Sequence, residues 1–122
     1  MKFKYCLLVC LVMMALPLLS FADTFQLTAS GGGVNLSAVL TANPTGTAGQ
    51  FLITGITGTF NGSAIAGLLP GGPGNTVSPS GTWYYDNVLY MDGNPFFDVA
   101  GLGLSLPGNI DANLFYQPPF EF

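Results

Sequence analysis

Residues 50–67 read QFLITGITGTFNGSAIAG. Residues 50–60 are rich in β-branched and aromatic side chains, which suit a pleated, half-buried surface. Asn61-Gly62 follows, set between TGTF and SAIAG. This dipeptide fits the two left-handed positions of a type I′ turn, so the stretch predicts a β-hairpin. Gly55 and Gly58 interrupt the strand pattern. They mark bulges, close packing under an aromatic ring, or a weakened edge.

The same two-residue period runs upstream. Phe25, Leu27 and Ala29 alternate with Thr24, Gln26 and Thr28, and Val34, Leu36, Ala38 and Leu40 share one face. Asn43-Pro44-Thr45-Gly46 joins two strands. Downstream, residues 70–80 (PGGPGNTVSPS) predict a long loop without strand or helix. Asp92-Gly93-Asn94-Pro95 and Pro107-Gly108-Asn109 are tight turns. Gly101 and Gly103 read as Gly55 and Gly58 do. No window shows a capped helical period. The expectation is an all-β chain, an antiparallel β-sandwich or partly open barrel of about seven strands. The strands are placed near 24–29, 33–42, 50–60, 63–69, 81–91, 99–106 and 112–117. Their core is drawn from Phe25, Leu27, Leu36, Ala38, Leu40, Phe51, Ile53, Ile65, Trp83, Tyr85, Leu102, Leu104, Leu106 and Leu114.

The amino end differs in kind. Lys2 and Lys4 precede an apolar run, Cys6–Leu19, and Ser20 and Ala22 put small residues at −3 and −1 of a cleavage point. This is the pattern of a helical secretory signal peptide over residues 1–22, cut between Ala22 and Asp23. Residues 23–122 are then a single β-domain, secreted or held in the cell envelope. The apolar run is short of the ~20 residues of a membrane helix, so no stable span is expected after cleavage.

Composition narrows the chemistry. The chain has two basic residues and two cysteines, and Lys2, Lys4, Cys6 and Cys10 all precede the cleavage point. Beyond it lie Asp23, Asp86, Asp92, Asp98, Asp111 and Glu121, with no Lys, Arg, His or Cys. Without His, Lys or Cys there is no triad, thiolate nucleophile or Schiff base. Zinc, haem and iron–sulfur sites lose their usual ligands. An acidic surface repels nucleic acid. No enzyme and no cofactor are expected. Oxygen-ligand Ca²⁺ binding and stacking on aromatic faces remain open.

Two clusters stand out. Trp83, Tyr84, Tyr85 and Tyr90, with Asp86 and Asn87 beside them, could form a glycan platform; alternate rings filling the core is the plainer reading. Asp92, Asn94 and Asp98 form D-x-N-x-x-x-D, and oxygens suit Ca²⁺, but no Glu stands at the twelfth position and an ordinary turn explains them. No spacing marks two carboxylates as a glycosidase pair.

From Trp83 onward, the run TWYYDNVLYMDGNPFFDVAGLGLSL…NIDANLFY resembles small secreted bacterial proteins that carry a PEP-CTERM sorting tail. The matching residues are Trp83, Tyr85, Asp86, Asn87, Tyr90, Asn94, Pro95, Asp98, Gly101, Leu102, Asn113, Leu114 and Tyr116. The Val-Pro-Glu-Pro tail, its apolar helix and its arginine cluster are not in this sequence, which ends Pro118-Pro119-Phe120-Glu121-Phe122. The resemblance implies a truncated or tail-less relative, extracellular or in the envelope and tied to exopolysaccharide, and no reaction. The expected function is a non-enzymatic β-protein of an extracellular matrix, with polysaccharide or its own sheet edges as partner. The alternative is a carbohydrate-binding module with an aromatic platform.

Overall fold

A computed structural model describes residues 22–71, 74–93 and 96–116. The expected signal peptide falls outside the described residues, apart from Ala22. All regular structure among the described residues is β, and the sheets are antiparallel and do not close into a barrel.

The larger sheet is built from β1 (Asp23–Gly31), β2 (Val34–Pro44), β3 (Gln50–Phe60) and β4 (Ser63–Ala64) in that order, with β8 (Val88–Tyr90) also pairing β3. A second sheet has the order β10 (Ile110–Leu114), β9 (Leu102–Leu106), β5 (Gly67–Leu68). A two-stranded ribbon joins β6 (Thr76–Val77) to β7 (Tyr84–Tyr85).

The local signals act as their chemistry requires. Phe60 pairs Ser63 across Asn61 (φ 49°) and Gly62 (φ 81°), a hairpin turn with both central residues left-handed. Asn61 accepts a hydrogen bond from the Asn35 backbone N–H at 2.7 Å and so pins this turn to the start of β2. Gly108 (φ 84°) and Asn109 (φ 57°) turn β9 into β10. A bulge lies beside Gly55, where Thr41 pairs Gly55 but Ala42 pairs Ile53. Gly58 and Gly103 instead serve close packing. A Cβ on Gly58 would collide with the Ser37 carbonyl oxygen, and one on Gly103 would stand 2.8 Å from Cγ of Tyr85.

Three expected strands are broken. Residues 63–69 split into β4 and β5, which belong to different sheets. Residues 81–91 split at Asp86-Asn87, because Asn87 is left-handed (φ 56°) and swings the chain from the ribbon to the larger sheet. The stretch 99–106 begins its strand only at Leu102, after Gly101 (φ 74°). The predicted long loop 70–80 is also corrected. Thr76-Val77 is a strand, because Pro79 and Gly81 sit in the turn that follows it and leave both residues free to pair.

One core draws on both main sheets: Leu36, Ala38, Leu40, Ala42, Ile53 and Ile56 from the larger, Leu102 and Leu104 from the smaller, with Ile65, Leu89 and Phe97. Phe25, Leu27, Phe51, Leu106 and Leu114 pack against it half-buried. Trp83, expected in the core, is also only half-buried.

Candidate functional site

The chain from Trp83 to Tyr90 passes between all three sheets. On β7 the side chains alternate, so Tyr84 is 59% exposed while Tyr85 is 1% exposed. The Tyr85 hydroxyl donates to the Pro70 carbonyl, and burial pushes its phenol pKa up. Trp83 meets Tyr85 edge-to-face, centroids 5.7 Å apart at 62°. The two rings are therefore no coplanar platform.

Asp86 and Asn87 form a corner. Asn87, fully buried, donates from Nδ2 to the Leu69 carbonyl (3.0 Å) and accepts at Oδ1 from Gly103 N–H (2.8 Å). Its carbonyl accepts from Ile53 N–H (2.8 Å) and its N–H donates to the Gly101 carbonyl (3.0 Å). A short amide that tolerates left-handed φ is what this position needs. One residue thus ties β3 to the smaller sheet.

Asp86 is also buried, with the Asp98 carboxyl beside it. Burial, opposed by the Val88 N–H bond and reinforced by the neighbouring Asp98 charge, pushes Asp86 up to about 6. Asp98 accepts at Oδ1 from Ala100 N–H (3.0 Å) and Gly101 N–H (2.9 Å), while the Tyr90 hydroxyl reaches Oδ2 at 3.4 Å. Burial and the two carboxylates raise the Tyr90 phenol pKa. Backbone amides already occupy both carboxyls: Val88 N–H bonds Asp86, and Ala100 and Gly101 N–H bond Asp98. Each carboxyl caps the backbone of its own turn.

In the D-x-N-x-x-x-D stretch, Asn94 lies outside the described residues. The Asp92 carboxylate lies against Gly49, and Asp98 turns to Asp86 and Tyr90. Among the described residues no three carboxylates gather.

Of the five candidate glycan residues, Trp83 and Tyr84 reach one open groove, while Tyr85 and Asp86 are interior and Tyr90 is half-buried. The groove encloses about 530 Å³ and is completed by Asn75, Val99, Ala100, Asn113 and Phe115. Asn113 donates from Nδ2 to the Tyr84 carbonyl at 3.4 Å, and its buried Oδ1 has no partner among the described residues. Among the described residues no charged side chain lines the groove. Asn75, Val99 and Phe115 carried no sequence signal for this role, since they come from a loop, a bend and the residue just after β10.

Comparison of the chain with protein-family models, with curated proteins and with solved structures finds no match.

Proposed function

We propose that this is a non-enzymatic, exported β-protein of an exopolysaccharide-associated matrix, which holds a neutral glycan along the groove of Trp83, Tyr84 and Phe115. The groove carries the reading: it is open and aromatic, without a charged side chain among the described residues, and flanked by the amides of Asn75 and Asn113. Rings supply apolar faces for sugar C–H surfaces, and amides supply both donors and acceptors for hydroxyls. Its volume lies within the ~300–1,000 Å³ of small-molecule clefts. The leader pattern of residues 1–22 supports export, and the core shared by both main sheets supports a sandwich.

The carbohydrate-binding alternative and the matrix reading meet at this groove. A glycan array with the protein, in Ca²⁺ and again in chelator, tests them together. Retention of neutral glycans that is lost in Tyr84→Ala and unaffected by chelator is expected. Silence across glycans, or binding unchanged in both Trp83→Ala and Tyr84→Ala, would overturn the groove as the site.

A further inference from the structure

The outermost strand of the larger sheet, β1, pairs only with β2, and no other backbone bond reaches residues 23–31 among the described residues. Every second residue of this nine-residue strand therefore turns its N–H and C=O outward, without a backbone partner among the described residues. An edge of this length is normally blunted by Lys, Pro or a bulge, because an open edge is a template for another strand. β1 reads DTFQLTASG and has none of these; its one charge, Asp23, is at the end. Its inward side chains Phe25, Leu27 and Ala29 are half-buried and line apolar clefts with Met91, Phe96, Phe97 and Phe115.

We propose that β1 pairs with β1 of a second copy, antiparallel and two-fold about Leu27, joining two five-stranded sheets into one. The strand is self-complementary in that register. Leu27 faces Leu27, Phe25 faces Ala29 and Gln26 faces Thr28, so large meets small inside and polar meets polar outside. A two-fold contact of one patch with itself uses up both β1 edges and so stops at two copies. In the full chain, where Asp23 carries only its carboxylate, charge selects the direction. Antiparallel pairing sets Asp23 opposite Gly31 and holds the two Asp23 carboxylates ~27 Å apart at ~3.4 Å per residue, beyond the ~8–10 Å screening length. Parallel in-register pairing would set them ~5 Å apart.

The test is analytical ultracentrifugation of the full chain over a wide concentration range, without glycan, so it is independent of the groove. Gln26 and Thr28 are exposed on the outer face and can be changed without touching the core. Q26K/T28K places four lysines together in the dimer and is expected to weaken association at least tenfold. Q26K/T28E sets a lysine of each copy opposite a glutamate of the other in the antiparallel register and is expected to retain association. A wild type that stays monomeric at every concentration would overturn the proposal. So would equal association in both variants, or equal loss in both. Hydrogen exchange on the wild type gives a second readout that needs no variant. Protection of the outward-facing amides of residues 24–30 should rise with concentration. Protection already complete in dilute protein would show that the edge is closed within one chain, and would also overturn it.

Discussion

The ring of Tyr85 lies directly over Gly103, so close that a Cβ at position 103 would stand 2.8 Å from Cγ and 2.9 Å from Cδ2 of the ring. Leu69 crowds the same point at 3.1 Å. Tyr85 cannot retreat, because its hydroxyl is held by Pro70. Gly103→Ala is therefore expected to destabilise the protein by about 1–3 kcal/mol, the usual cost of overpacking a fixed core. Urea denaturation measures it. An unchanged midpoint would mean that the ring moves freely.

Asn87 is expected to be the least replaceable polar residue. Asn87→Ala leaves the Leu69 carbonyl and the Gly103 N–H buried without partners and puts a Cβ residue at φ 56° without the compensating amide. Each orphaned group costs about 1–3 kcal/mol, so a loss of about 3–5 kcal/mol is expected. That is a large share of a small domain's ~5–15 kcal/mol, and thermal denaturation should show a partly or wholly unfolded variant.

Asp86 makes the protein more stable in mild acid than at neutrality. Its pKa rises from an ordinary 3.8 to about 6 on folding, so the folded state holds a proton that the unfolded state has released across that interval. This contribution is complete below pH 3.8, falls as pH rises, and is gone above about pH 6. Its size is about 1–2 kcal/mol once solvent screening is allowed for. Asp86→Asn keeps an acceptor for Val88 N–H and adds a permanent donor toward Asp98. It should raise the melting temperature at pH 7 and flatten the profile between about pH 4 and 6. Asp111 acts in the opposite sense. Its bonds from Ser80 lower its pKa, so its contribution is present above the ordinary carboxylate pKa and lost as pH falls through the lowered value.

Tyr84 and Trp83 separate binding from folding. Tyr84 is exposed, so Tyr84→Ala should change stability by no more than about 0.5 kcal/mol while weakening glycan retention. Trp83 also packs on Tyr85, so Trp83→Ala should lower both stability and retention. Calorimetry beside the glycan array distinguishes them. A Tyr84→Ala protein with full glycan retention would remove Tyr84 from the site.

The sequence alone determined what depends on neighbours along the chain. The alternation in 24–29 and 34–40 set which side chains turn inward, and the left-handed demand at Asn61-Gly62 set a two-residue hairpin. Those are local sterics and a period of two. Only the tertiary structure decided that 81–91 leaves one sheet for another at Asn87, because the partners that hold that turn come from residues 53, 69, 101 and 103. The same holds for Asp98 meeting Asp86 rather than Asp92, and for Phe115 and Asn75 closing a groove around Trp83. A break in a strand and a groove depend on contacts between residues far apart in the chain, and no periodicity encodes which distant residue will supply the missing hydrogen bond.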